Sequence, residues 1–469
     1  MNKYLFVLGL VGTALFSACS TSDDLTAEQP SVTPVVEEQT KEAALILEAA
    51  QNSEIPVSIG VGSSRGFTRA VLNPDANGNF STEDGKYLGV FCLATGTQSN
   101  VDESVIPEVI RTNNWNTAAE DDKAGLIVRM NNVPAKVTTD GTTSDVQFWD
   151  IDNSRVQHWY YPMGNWMKYN FYAYYPRQEK VVDGNTTLSF SANQVLEKYY
   201  EIDGSQDIIW GMSDQEHATP ITSSTATDAD PYCAKYFRLW KEVDGTNIQN
   251  YYPKFEFKHK LVQLRFFVKA ALKDPDNPDD HTVLTDLTSK NMQVTDMYIS
   301  NAIYRLSLIV ANKNPETQYK NGQLSMMGNS VLTKALRIKE SGLDKNRFRD
   351  EDDNDIVDNP FAITDDAVDV TSATPVGYIL LAPTKVSGDA NFKYQLVVKV
   401  QYTIDEVNYT NEIPVALDLP TTETDDGTGK IYNIVVSVQS PQEIHAKATL
   451  ATWEVYDNGN NGRIDVNGE

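Results

Sequence analysis

The chain has 469 residues, 41% of them hydrophobic, and carries 65 acidic against 39 basic side chains for a formal net charge of −26. That balance excludes a protein that neutralises nucleic-acid phosphates or docks on anionic lipid head groups. Three cysteines (Cys19, Cys92, Cys233) with no CxxC and no Cys/His cluster give no zinc motif, and no metal or other cofactor is expected.

Residues 1–18 hold one early lysine, an apolar run from Tyr4 to Phe16 and the small pair Ser17–Ala18 ahead of Cys19. This is a secretory signal, too short for a membrane span. A cysteine after Ser-Ala resembles a bacterial lipobox, in which Cys19 receives lipid and becomes the first residue. The following STSDD resembles the short acidic tag of lipoproteins sent to the outer surface of Gram-negative anaerobes. Acyl chains anchor through buried methylenes, each worth about 0.8 kcal/mol. Residues 25–38, rich in Pro, Thr, Val and Glu, read as an extended tether. Residues 41–50 read as a short helix.

The stretch around which the rest is read is residues 54–70, EIPVSIGVGSSRGFTRA. Ile55, Val57, Ile59 and Val61 alternate with small or polar residues, the period of a strand with one buried face. Behind them, Gly62 to Arg69 mixes small flexible residues with Arg65 and Arg69, the composition of a protease-accessible loop. One reading is a removable strand whose departure opens a groove for another chain's strand. The other is an ordinary first strand followed by an ordinary loop.

Nearly every later periodic segment has period two. Strands are expected at 87–94, 125–130, 146–149 and within 158–176, where Tyr169, Phe171, Ala173 and Tyr175 share one face. That segment is read as a core strand with an aromatic inner face in preference to a carbohydrate-stacking platform. The segment 207–211 is short and apolar. In 255–270 the alternation slips phase between Leu261 and Leu264, which predicts a bulge. His259 falls on the apolar face and is read as a hydrogen-bonded core histidine. The acidic, proline-bearing stretch 274–281 is the expected domain boundary. More strands follow at 294–299, 304–310, 377–381, 394–402, 411–417, 430–438 and 444–455. Long helices are missing, and short strands between turn signals predict an all-β protein of sandwiches.

The sequence offers no catalytic constellation: no GxSxG, no HExxH, no phosphate loop. The loop 345–360 reads as solvated acid. The tail 457–468 places Asp457, Asn461, Gly462 and Asp465 at calcium-loop positions, but Gly459 and Gly468 stand where ligands belong, so it reads as a polar tail. A Cys92–Cys233 disulfide is left open.

Taken in order, the lipobox, TRA, YLGVF, YNFYAYYP, DIIWG, FKHKLVQLRFFV, GYILLAP, GKIYNIVVSV and ATLATW resemble the fimbrillin-like family of type V pilins from Gram-negative anaerobes. The resemblance implies two tandem transthyretin-like β-sandwich domains and secretion as an outer-membrane lipoprotein. It implies cleavage by an Arg-specific protease, first between Arg69 and Ala70, second between Arg65 and Gly66. It further implies that the strand of Ile55, Val57, Ile59 and Val61 is displaced by a donor from the C-terminal region of a neighbour, here with Leu450, Trp453 and Val455 as candidates.

The implied division is a signal at 1–19, a removable tether and strand at 20–69, and sandwiches at 70–275 and 280–469. The partners are other copies and other pilin subunits, head to tail, with a surface ligand the residues do not specify. The competing reading is a surface lipoprotein that binds glycans through the aromatic segment around Trp159 and Trp166. A secreted hydrolase ranks below both.

Overall fold

The computed structural model describes residues 55–61, 86–97, 104, 111–116, 126–139, 144–161, 167–178, 181–182, 185–186, 188–213, 216, 218–221, 230–243, 246–270, 290–314, 320–327, 333–338, 361–362, 374–419 and 427–451. Cys19, Arg65, Gly66, Arg69, Ala70, Trp166, Trp453, Val455 and the loops at 274–281 and 345–360 lie outside the described residues.

The first strands are β1 (Ile59–Val61), β2 (Leu88–Thr97), β3 (Val128–Thr139), β4 (Ser144–Asp150), β5 (Arg155–Val156) and β6 (Met167–Tyr175). Then come β7 (Val181–Val182), β8 (Asn185–Thr186), β9 (Leu188–Phe190), β10 (Gln194–Glu201) and β11 (Ile209–Ser213). A helix, α1 (Ala234–Val243), precedes β12 (Lys254–His259), β13 (Val262–Ala270), β14 (Gln293–Ile303), β15 (Arg305–Asn312), β16 (Leu324–Met326) and β17 (Thr333–Arg337). The chain continues through β18 (Phe361–Ala362), β19 (Thr374–Leu381), β20 (Gln395–Ile404), β21 (Val407–Ala416), β22 (Ile431–Ser440) and β23 (Glu443–Ala451). The all-β expectation holds. The helix is the departure from it: Cys233 caps its first turn, its Sγ accepting from Tyr236 N at 3.4 Å.

Seven strands close a ring, β1-β12-β11-β6-β2-β3-β4 and back to β1, with β5 extending β4. Closure removes the open edges that a sheet of this length would otherwise leave. Two further sheets, β19-β13-β22-β23 and β17-β14-β20-β21, bury their apolar faces in a core continuous with the barrel's. A fourth sheet, β16-β15-β10-β9, pairs Val195 of β10 with Ala311 of β15. Pairing therefore crosses the 274–281 stretch, and β13, which precedes that stretch, lies between β19 and β22, which follow it.

The expected bulge in 255–270 is instead a break between sheets. β12 alternates exposed and buried residues in the barrel, and β13 is buried on nearly all positions between two neighbours. The period changes because a half-buried strand becomes a central one. At the crossing, Lys260 N donates to Ile208 O at 2.8 Å and Gly429 N donates to Leu261 O at 3.0 Å. Another tie is Trp210 of β11, whose Nε1 donates to Val310 O at 2.8 Å. Gly322 (φ +72°) lies against that indole, where a Cβ would stand 2.5 Å from the ring, so only glycine fits.

Candidate strand-exchange site

The site is the seam that β1 fills. Gly60 and Val61 pair in parallel with Lys254 and Phe255 of β12, while Ile59 and Gly60 pair antiparallel with Val146 and Asp145 of β4. The residues before β1 are stitched to a second partner. Val57 N donates to Trp159 O at 2.8 Å, Tyr161 N donates to Ile55 O at 3.0 Å, and Pro56 bridges Tyr160. Gly60 N adds a bond to Pro253 O at 2.9 Å. β1, the three residues with strand geometry, thus has hydrogen-bonding neighbours on both sides, and residues 55–57 extend the pairing along the strip Trp159–Tyr161.

The alternation read from the sequence sets which side chains enter the core. Val57 and Ile59 are buried, Ile59 to 2% exposure, while Ile55 and Val61 are partly buried against the same core. Burying two such side chains contributes roughly 1.5–3 kcal/mol each. Pro56 is exposed, and Gly60 stands between the exposed side chains of Asp145 and Lys254. A Cβ at Gly60 would meet Lys254 Cγ at 3.5 Å, an ordinary contact, so that outward position accepts a side chain.

The floor beneath the segment is aromatic. Tyr161 packs on Phe237 of α1 with ring centroids 5.1 Å apart and on Phe171 at 6.3 Å. Its hydroxyl is buried, and burial pushes its pKa well above the ordinary tyrosine value. Ser213 Oγ, 3.2 Å from the Tyr232 hydroxyl, accepts from Lys254 N at 3.0 Å, which anchors the first residue of β12. Arg129 donates through Nε to Tyr160 O at 2.8 Å and sits 5.7 Å over the Trp159 ring. Sequence reading missed the strip Trp159–Tyr161 as a partner. It bears no period-two pattern of its own, and its role comes from backbone groups that any residue supplies.

The aromatic strand β6 is a core strand. Tyr169, Phe171, Tyr172, Tyr174 and Tyr175 are all buried, on both faces. Trp159 is half-buried. Leu450, read as a donor candidate, lies in β23 opposite Tyr432, 57% exposed. Donation by Leu450 requires β23 to leave β22. The thiols of Cys92 and Cys233 are separate and buried, and Cys233 Sγ lies 3.4 Å from Asp230 O. His259 is buried as expected, with Nδ1 bonded to Oδ2 of Asp207, which has no exposure. Asp207 Oδ1 accepts from Ile208 N at 2.7 Å and Leu261 N at 3.2 Å, so both carboxylate oxygens have partners and the side chain ties β11 to the β12–β13 crossing. Among the described residues no group of three or more His, Cys, Asp or Glu could hold a metal ion.

No family model matches the chain, and no curated protein matches it. Among solved structures, a candidate cell adhesion protein from Bacteroides uniformis ATCC 8492 is similar at 11% identity, 85% of this chain, 98% of that one and a TM-score of 0.37. A fimbrilin from Porphyromonas gingivalis W83 is similar at 10% identity, with 87% and 99% coverage and a TM-score of 0.35. The fimbrial anchor protein Mfa2 from Porphyromonas gingivalis is similar at 9% identity, with 84% and 98% coverage and a TM-score of 0.26.

Proposed function

We propose that the chain is a structural subunit of a cell-surface pilus, with no catalytic role, that polymerises by donor-strand exchange. The observation that carries this reading is the double pairing of β1, which is bound by β4 on one side and β12 on the other and is followed in the sequence by Arg65 and Arg69. Cleavage after Arg69 severs residues 19–69, with the lipid on Cys19, and cleavage after Arg65 severs residues 19–65. The seam then presents two unpaired strand edges and the apolar slots of Val57 and Ile59. A strand from a neighbour, with Trp453 and Val455 as its apolar residues, replaces the lost backbone bonds and burial. Such a contact is head to tail and does not close, so it propagates.

The precursor is held in the outer membrane by its acylated cysteine, and the mature subunit lies in the fimbrium, where it serves adhesion. The finer description, two transthyretin-like sandwiches, belongs to the same proposal. The glycan-binding alternative, drawn around Trp159 and Trp166, is less favoured because Trp159 is half-buried against the core with Arg129 over its ring.

The test is Arg65→Ala with Arg69→Ala in the full precursor. Secreted monomer that keeps residues 55–61 and forms no heat-sensitive ladder is the expected result. Abundant fibres from the double variant would overturn the proposal. N-terminal sequencing of surface material separates the two readings, since a fibre subunit starts at Ala70 and a tethered binding protein starts at Cys19.

A further inference from the structure

The segment that fills the seam leaves two polar groups beside it unmet. Residues 55–57 pair antiparallel with the strip Trp159–Tyr161, so Val57 stands opposite Trp159 and Ile55 opposite Tyr161. Between them Pro56 and Tyr160 are exposed, which turns the other two pairs toward the core. Directly opposite residues on one face have Cβ atoms about 4.5–5.5 Å apart, within easy reach of each other's side chains. Trp159 Nε1 and the Tyr161 hydroxyl are buried, and neither has a hydrogen-bond partner among the described residues. Val57 and Ile55 offer them only aliphatic groups. A buried donor without an acceptor has given up water and received nothing in exchange, so an occupant that supplies an acceptor binds better than one that does not.

A cation stands at the same spot. Arg129 donates through Nε to Tyr160 O at 2.8 Å, and its guanidinium carbon lies 5.7 Å from the centre of the Trp159 ring. Among the described residues it forms no ion pair. An indole N–H beside an uncompensated guanidinium selects an acceptor that carries negative charge.

We propose that the strand entering the seam brings a carboxylate to the place of Val57, and that this strand is residues 453–457 of a second copy, with Asp457 as the acceptor. This rests on the reading of the chain as a fibre subunit and deepens it. In the sequence Trp453, Val455 and Asp457 fall on one face of an extended segment. Laid opposite in direction to β1, they take the inward places of Val61, Ile59 and Val57 in that order. Asp457 then meets Trp159 Nε1 and Arg129. Laid along β1 in the same three residues from Ile55, they put Asp457 in the place of Ile59, 2% exposed and opposite the apolar Val146, which disfavours that direction. In the favoured direction Glu454 takes the outward place of Gly60, where a Cβ meets Lys254 Cγ at an ordinary 3.5 Å. Gly459 falls opposite Tyr161 and lays no apolar side chain over its hydroxyl. Residues 452–469 follow β23, so this exchange leaves β23 on β22. The resident segment therefore holds the seam by backbone pairing and apolar burial, and the incoming one adds a charge-assisted bond that favours replacement.

The test cuts the full precursor with an Arg-specific protease in the presence of a synthetic peptide of residues 452–460 and reads the peptide concentration that halves the heat-sensitive ladder. The same peptide carrying Asp457→Leu should be at least about tenfold weaker, the size of one charge-assisted hydrogen bond. In precursor carrying Trp159→Phe, which keeps an aromatic ring and the backbone carbonyl and removes the indole N–H, the gap between the two peptides should narrow. An Asp457→Leu peptide of equal or greater potency would overturn the acceptor while leaving strand exchange standing. A gap untouched by Trp159→Phe would overturn its assignment to Trp159. A ladder that neither peptide reduces would overturn this tail as the occupant. Absence of any ladder without peptide would remove the fibre reading and this inference together.

Discussion

Ile59 lies directly opposite Val146 across the seam of the barrel. The pair is the point at which the ring closes, so the stability of the uncleaved chain should be unusually sensitive to it. Ile59→Ala should cost about 2–5 kcal/mol, whereas Val61→Ala, at a half-exposed site, should cost about 1 kcal/mol. Urea unfolding of the precursor checks this. Equal losses at the two positions would mean that the segment is not seated in this register.

His259 and Asp207 form a buried pair 52 residues apart in sequence, at the passage from barrel to sandwich. Removing either partner leaves a buried polar group uncompensated, and Asp207→Ala also orphans the amides of Ile208 and Leu261. Each single substitution should cost about 3–5 kcal/mol. A double-mutant cycle should give a coupling of about 1–3 kcal/mol. Additive losses would show that the two act separately.

Lys313 places its ammonium on the carbonyls of Asn113 and Ala192 and 4.7 Å over the Trp115 ring. Burial lowers its pKa to about 8. The unfolded chain, with an ordinary lysine, therefore holds more protons than the folded one between about pH 8 and 10.5. Stability attributable to this residue should rise with pH across that window. The buried tyrosines and Cys92 pull the other way, so the informative quantity is a difference. The gap in urea midpoint between Lys313→Met and the parent should shift in the parent's favour from pH 7.5 to pH 10. A gap that stays constant or moves the other way would contradict the burial effect.

Burial also pushes the Cys92 thiol far above its ordinary pKa, and Cys233 is enclosed at the helix cap. Neither thiolate is available as a nucleophile in the folded state. In the uncleaved chain carrying Cys19→Ser, a disulfide-exchange reagent such as DTNB should label no thiol before denaturation and two after it. Rapid labelling of either in the native protein would place it at the surface.

The Asp405–Glu406 turn carries two left-handed residues, each a conformation that a side chain disfavours by about 1–2 kcal/mol. Asn-Gly suits this two-residue hairpin better. Asp405→Asn with Glu406→Gly should therefore stabilise the monomer by about 1 kcal/mol. An unchanged or lowered urea midpoint would show that the native turn is unstrained.

The periodic segments were legible wherever one face of a strand is buried. Residues 395–404 alternate because Leu396, Val398 and Val400 enter the core, and the strand lies where that alternation predicts. The slip between Leu261 and Leu264 was visible, but its cause was not. A bulge and a passage between two sheets perturb the period alike, and only the pairing of β12 with β11 and of β13 with β19 and β22 separates them. The helix Ala234–Val243 escaped notice because its anchors, Tyr161 and Tyr251 among them, come from elsewhere in the chain. The strip Trp159–Tyr161 was read for its rings, whereas its contribution to the seam is a carbonyl and an amide.

By itself the sequence determined the spacing of apolar side chains, and with it the strand character of the chain and the inward residues of the segment at 55–61. Those properties depend on near neighbours, since alternate side chains on a pleated backbone point to opposite faces. Only the tertiary structure decided that β1 closes a ring between β4 and β12, that His259 meets Asp207, and that β13 lies between β19 and β22. Such pairings join residues tens to hundreds of positions apart. Their register is chosen by which buried faces and backbone groups can be satisfied together, a property of the whole packed molecule and not of any local run of residues.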